Sequence, residues 1–199
     1  MFLFSSLLWA AHHSPAPDSS YVVLARHGDA PGRGEPDGFD LKDCSRQRNL
    51  SENGRNQARN LGAMFRWNGI EVAKVLTSRF CRARETAELM NLGSVDNSAT
   101  FDDLSFNKQY AQQLLAGERD LIASWHGPGV LLIVSHGSNI EALTGIHLEQ
   151  GGMLVASMKQ GELLAKTFTP AATTAAQNDA DATGLFFIPV DLRKPWWTL

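Results

Sequence analysis

Apolar residues fall along this chain in short continuous runs and in helically spaced series, and each run stops at glycine, proline or a polar cluster. Tyr21-Val22-Val23-Leu24-Ala25 runs straight into Arg26-His27-Gly28. A β-branched apolar run bounded by turn residues predicts a buried strand that ends in a loop. Residues 72–78 predict a second strand that leaves through Arg79-Phe80-Cys81, and residues 130–134 give the most continuous strand pattern, delivering Ser135-His136-Gly137. Residues 153–158 and 163–168 read as a hairpin or two edge strands. A further short strand is expected near Phe101.

Helical spacing fills the intervals. Ser51 is a natural N-cap, Glu52 suits the positive end of a helix dipole, and Ala58, Leu61, Met64 and Phe65 recur on one face until Gly69. A second helix is expected from about Arg82 to Gly93. A third spans roughly residues 107–125 on Tyr110, Leu114, Leu121, Ile122 and Trp125, with Gly117 weakening its middle. A short fourth helix, capped by Ser138 or Asn139, runs through Ile140, Leu143 and Ile146. Strands alternating with helices predict an α/β domain, a three-layer sandwich with a mostly parallel central sheet flanked by helices. The expected organisation is a leader at 1–20, a domain at 21–169, and a linker with an apolar tail at 170–199.

Composition narrows the function classes. The net charge of −3 over 199 residues argues against general nucleic-acid binding. The cations are nonetheless concentrated: twelve of the eighteen Lys and Arg lie between Arg26 and Arg84. Cations gathered around glycine-rich loops point to an anionic ligand, although Arg55, Arg59 and Arg66 read as a solvated helix face. Two cysteines, Cys44 and Cys81, are too few for a disulfide framework or a zinc site. One bridge between them requires an oxidising compartment. Residues 1–11 form an apolar stretch too short to span a bilayer, similar to the core of a secretory signal but without Lys or Arg ahead of it. A periplasmic or secreted location is expected from it, a cytoplasmic one being the alternative.

The chemistry gathers where the strands end. His27 and His136 each follow an apolar run and precede a glycine, which places both at one sheet edge, where ligands of open α/β sheets bind. Arg82 opens a helix, where backbone N–H groups also favour anions. Arg26, His27, Arg82 and His136 therefore make a candidate dianion pocket, with Gly28 and Gly137 allowing close approach. His12, His13, His126 and His147 have no such company and read as incidental.

Four ordered motifs resemble those of the histidine phosphatase (phosphoglycerate mutase-like) superfamily: Arg26-His27-Gly28; Leu50-Ser51-x-x-Gly54-x-x-Gln57-Ala58; Ser78-x-x-x-Arg82-Ala83-x-x-Thr86-Ala87; and Ser135-His136-Gly137. The resemblance covers about residues 21–169. It implies that His27 attacks phosphorus to form a phosphohistidine, which water then hydrolyses, while Arg26, Arg82 and His136 neutralise the phosphoryl oxygens. His136 helps most when protonated, which a bound dianion should favour. No metal or other cofactor is implied. The sequence departs from the family in its general acid. Mutases and many phosphatases place a carboxylate in a pattern like Leu-x-Glu, whereas here Leu104 is followed by Ser105 and Phe106. Asp103 is the first substitute, ahead of Asp102 and Asp29. The departure argues against a mutase and leaves open a phosphomonoesterase or a phosphohistidine phosphatase.

The stretch from Cys44 through Arg46, Gln47 and Arg48 to Leu50, with Cys81 before Arg82, resembles a bacterial branch of that family with exported members, some acting on sugar phosphates of the lipopolysaccharide core. That likeness implies Arg46 or Arg48 at the pocket mouth and a Cys44–Cys81 bridge beside it. The expected ligand is a small phosphorylated substrate or a phosphoprotein. Two other classes stay open: a non-catalytic phospho-ligand binding module, and an interaction protein whose Trp196-Trp197 tail touches a membrane or partner.

Overall fold

The computed structural model describes residues 21–159 and 162–167. The expected leader and C-terminal tail lie outside the described residues. Six strands, β1 (Tyr21–Arg26), β2 (Val72–Thr77), β3 (Val95–Asn97), β4 (Val130–Ser135), β5 (Met153–Lys159) and β6 (Glu162–Thr167), form one sheet in the order β3-β2-β4-β1-β5-β6. β3, β2, β4 and β1 run parallel, while β5 and β6 are an antiparallel hairpin added at the β1 edge. Four α-helices, α1 (Glu52–Trp67), α2 (Cys81–Met90), α3 (Ala111–Ala123) and α4 (Gly137–Thr144), cover the two faces. The sheet is mixed and mostly parallel, as the alternation of elements predicts.

The period-two alternation of side chains sorts the core into two layers. Val22, Leu24, Leu131 and Ile133 face a cluster with Ile122 of α3 and Ile140 and Leu143 of α4. Val23, Ala25, Val130, Leu132 and Val134 face a second with Phe65 of α1 and Ala83, Ala87 and Met90 of α2. β4 is buried along its whole length, which is why its sequence is an unbroken apolar run. Burying each of these large aliphatic side chains contributes about 1.5–3 kcal/mol. Helices α1 and α2 meet closely at Gly62, where a Cβ would lie 1.9 Å from the Met90 carbonyl oxygen.

Ser51 caps α1 as predicted, its Oγ accepting the Gly54 N–H at 3.0 Å. Arg55 and Arg59 pair on that helix's outer side with Glu85 and Glu52, and Arg66 reaches the Met90 carbonyl, which fits a solvated face.

Three expectations shift. The short strand is at Val95–Asn97, and Phe101 instead sits buried in a 3-10 turn, Ala99–Phe101. The third helix begins only at Ala111, after a 3-10 turn at Lys108–Tyr110, so Tyr110 is exposed rather than on the core face. Gly117 lies where that helix passes the Thr100 side chain, 3.2 Å from where its Cβ would stand. Helix α4 starts at Gly137 with no side-chain cap, because Ser138 and Asn139 bond across the fold to Asp103, Leu104 and Glu118 instead.

Candidate active site

Parallel pairing decides which chain segments meet. Arg26 is opposite Ser135 in the β1–β4 register, and the His27 N–H continues the ladder to the Ser135 carbonyl at 3.0 Å. On the other side of β4, the Ser78 N–H bonds the Val134 carbonyl at 3.1 Å. The segments after β1, β4 and β2 thus emerge side by side at one sheet edge, and the His27 and His136 rings stand 5.4 Å apart.

The turn after β1 passes across the start of α1. A Cβ at Gly28 would lie 2.5 Å from the Gly54 carbonyl oxygen, and one at Gly54 would lie 2.2 Å from the Asp29 carbonyl. Only glycine permits this approach at either place. Thr86 Oγ1 accepts the Gly28 N–H and Gln57 Oε1 accepts the Asp29 N–H. Two motif residues with no assigned role in the sequence therefore hold the His27 loop.

Arg82 is fully buried and organises the centre. Its Nε donates to His27 Nε2 at 3.2 Å, its Nη1 to Glu35 Oε1 at 2.6 Å, and its Nη2 to Asp103 Oδ2 at 2.9 Å and His136 Nδ1 at 3.3 Å. A guanidinium can only donate. Nε2 of His27 must therefore be the lone-pair nitrogen, and the Nδ1 proton goes to the Gly28 carbonyl at 2.8 Å. Burial, then the charge of Arg82, lowers the His27 pKa to about 3, so the ring is neutral at physiological pH.

The same logic fixes His136. Its Nδ1 accepts from Arg82, so Nε2–H donates to Ser78 Oγ at 2.8 Å. Ser78 in turn donates to Asp102 Oδ1, which Arg79 holds through two nitrogens. Burial and then Arg82 push the His136 pKa well down, against the partial support of Asp103. His136 is therefore neutral here. The protonated form expected from the sequence requires added negative charge beside it.

Asp103 is inside the site, as expected, but as an acceptor. Burial opposes its ionisation, yet the Ser105 and Ser138 hydroxyls and the Arg82 guanidinium hold the carboxyl below the usual range. Asp102 and Asp29 are not brought to Arg82: Asp102 serves Arg79 and Ser78, and Asp29 binds the Ser51 hydroxyl. Arg26 passes beside Gly137, gives Nη1 to the Leu148 carbonyl at 2.6 Å, and leaves a buried Nε–H without a partner. Arg48 spends its guanidinium on the carbonyls of Ala30 and Gly34, stapling the long loop, and Arg46 is exposed beside Gly38.

Glu35 is the residue that sequence reasoning missed. Besides Arg82 it accepts the Arg48 backbone N–H at 3.0 Å, and its side chain is only 6% exposed. The available signal was that it is the one glutamate in a loop otherwise acidic through aspartates. Cys44 and Cys81 form a disulfide that ties this loop to the first residue of α2, next to Arg82. Gln47 adds a second tie, accepting the Cys81 N–H and donating to the carbonyls of Asp40 and Leu41. His147 is exposed among Glu141 and Glu149, away from this cluster. Among the described residues, no group of three or more His, Cys, Asp or Glu is arranged to hold a metal ion, and no helix is long and apolar enough to cross a membrane.

The sequence model of the histidine phosphatase superfamily (branch 1) matches residues 22–113, which include Arg26, His27 and Arg82. Over that segment the chain is similar to the histidine phosphatase superfamily. His136 lies beyond the matched segment and is joined to it through the β1–β4 pairing. Solved structures with the same fold align over most of the chain. The product of open reading frame Rv3214 from Mycobacterium tuberculosis has a TM-score of 0.55 at 14% identity, covering 74% of this chain and 96% of that one. The mycobacterial glucosyl-3-phosphoglycerate phosphatase Rv2419c has a TM-score of 0.54 at 16% identity, covering 75% and 98%. YhfR from Bacillus stearothermophilus has a TM-score of 0.54 at 18% identity, covering 75% and 96%. At such identities the likeness is one of fold. No curated protein sequence matches the chain.

Proposed function

We propose that this protein, as a histidine phosphatase superfamily member, hydrolyses a phosphomonoester through a phosphohistidine on His27. The observation that carries the reading is the tautomer of His27. A neutral ring gives its Nδ1 proton to Gly28 and presents the Nε2 lone pair beside a buried guanidinium. An attacking histidine needs that state, and a depressed pKa keeps it available at neutral pH.

In the first step the Nε2–P bond forms as the bond from phosphorus to the ester oxygen breaks, and the leaving oxygen keeps the electron pair. Arg82, the unpaired Nε–H of Arg26 and His136 face the charge on the phosphoryl oxygens. The arriving dianion reverses the balance at His136 and favours its protonation. Water then breaks the N–P bond, releasing phosphate and restoring neutral His27. The Cys44–Cys81 disulfide supports a location in an oxidising compartment, consistent with export.

One observation favours a second reading, a phospho-ligand binding module: Arg82 already carries two carboxylates, Glu35 and Asp103. Hydrolysis of p-nitrophenyl phosphate separates the two. Turnover that survives EDTA and is abolished in His27→Ala, with acid-labile phosphate trapped on the wild type, is the expected result. Phosphate binding without turnover between pH 5 and 8 would transfer the assignment to the binding module.

A further inference from the structure

Every carboxylate near His27 is already committed. Asp103 and Glu35 are ion-paired with Arg82, Asp102 with Arg79, and Asp29 is bonded to Ser51. Asp103 is moreover held in its ionised form. None of these groups stands ready to hand a proton to a departing oxygen. A leaving group that departs as an oxyanion stable by itself suits such a site.

The wall of the site shows a second feature. Phe80 lies edge-on to His136, with ring centroids 5.1 Å apart, and the Arg82 guanidinium sits 4.7 Å over its face. Phe39 stacks on Phe80 at 5.4 Å, and Phe106 leans on Phe39 at 4.6 Å and on Phe80 at 5.9 Å. Phe80 is buried, Phe39 half-buried, and Phe106 is 51% exposed. The three rings thus make a continuous aromatic surface from the catalytic imidazole to solvent. Phe106 leaves a large ring uncovered at its outer end, at the position where the sequence lacks the expected carboxylate.

We propose that the substrate is an aryl phosphate monoester whose ring packs against Phe39 and Phe106; this rests on the phosphatase reading above. The two observations agree chemically. A phenol ionises near pH 10, whereas an aliphatic alcohol resembles water at about 16. An aryl oxide therefore leaves without a protein acid. It departs with the electron pair of the P–O bond as His27 Nε2 binds phosphorus, and takes its proton from solvent. The same ring gains from offset or edge-on contact with phenylalanine.

Phenyl, benzyl and ethyl phosphate test this, because benzyl phosphate has the ring without the good leaving group. The wild type is expected to show a low KM for both ring-bearing esters and a high kcat for phenyl phosphate alone. Phe106→Ala should narrow the phenyl-over-ethyl ratio of kcat/KM about two- to tenfold. Phe106→Tyr should restore the ratio and Phe106→Leu, which keeps bulk without a ring, should not. Free phosphotyrosine and a phosphotyrosine peptide then tell a small aryl phosphate from a protein substrate, either one supporting the class. Equal loss on phenyl and ethyl phosphate in Phe106→Ala, rescue by leucine, or no ring preference in the wild type would overturn the proposal. If no ester is turned over and no phosphate is trapped on His27, the phosphatase reading itself fails, and the inference with it.

Discussion

Replacing Glu35 by glutamine should tighten the binding of inorganic phosphate. A guanidinium offers five N–H donors. In this structure Arg82 gives one to His27, one to Glu35, and those of Nη2 to Asp103 and His136, leaving a single N–H on Nη1 for an incoming oxygen. An anion that takes two N–H groups of Arg82 must therefore displace one of these partners. Asp103 is the harder to displace, since Ser105 and Ser138 hold it as well. Glu35 is held only by Arg82 and one backbone N–H. A hydrogen bond to a charged group contributes about 1.5–3 kcal/mol, equivalent to roughly 10- to 100-fold in Kd. Glutamine keeps one oxygen that accepts from Arg82, so the lower figure, about tenfold tighter binding, is expected. If the displaced carboxylate stays near the dianion, the Coulomb term has the same sign, about 4 kcal/mol per charge pair at 4 Å and an effective dielectric of 20. Titration calorimetry with phosphate at pH 7 on the wild type and Glu35→Gln reads the change directly. Unchanged or weaker binding in a folded variant would refute the reasoning and make Glu35 a group that helps hold the substrate.

Two further outcomes follow from the buried groups around the site. Burial raises the Glu118 pKa to about 8, against the opposing hydrogen bond from Asn139. Between the unfolded value of 4.5 and 8 the unfolded chain has lost a proton that the folded chain keeps, so stability falls as pH rises, by about 1.4 kcal/mol per pH unit. Glu118→Gln should therefore melt increasingly above the wild type from pH 5 to pH 8, and a gap independent of pH would contradict this. The Cys44–Cys81 bridge closes a separation of 37 residues, for which the loss of chain entropy in the unfolded state gives about 4 kcal/mol. Urea denaturation with and without dithiothreitol should show about 2–4 kcal/mol lost on reduction. A midpoint that does not move would mean that the Gln47 hydrogen bonds alone keep the loop closed.

The strands and the face each helix buries were legible because both depend on local periodicity. The unbroken run at residues 130–134 became the wholly buried β4, and Ala58 and Phe65 became the buried side of α1. Local signals failed where a side chain had a stronger partner elsewhere. Ser138 and Asn139 look like caps, but Asp103, Leu104 and Glu118 were within reach across the fold, so α4 starts uncapped. Phe101 looks like a strand residue because it is apolar, and it is buried; the Ser98 side chain instead closes a 3-10 turn there.

The site divides along the same line. His27, His136 and Arg82 could be placed together from sequence because each sits at a strand end or helix start, and strand ends are brought together by the sheet. What their charges do was not legible, since it depends on partners from other segments. Glu35 comes from the long loop, Asp103 from the turn before α3, and Ser78 from the end of β2, and all three reach the two basic groups at the centre. Those partners leave one buried cation with two carboxylates, and a neutral imidazole on either side of it, where a protonated His136 is expected from the sequence. The protein thus keeps its anion site electrically filled by its own acids. On the proposed function, a phosphoryl group would meet these acids and not a bare positive pocket, and the Glu35→Gln titration tests whether it exchanges with one of them.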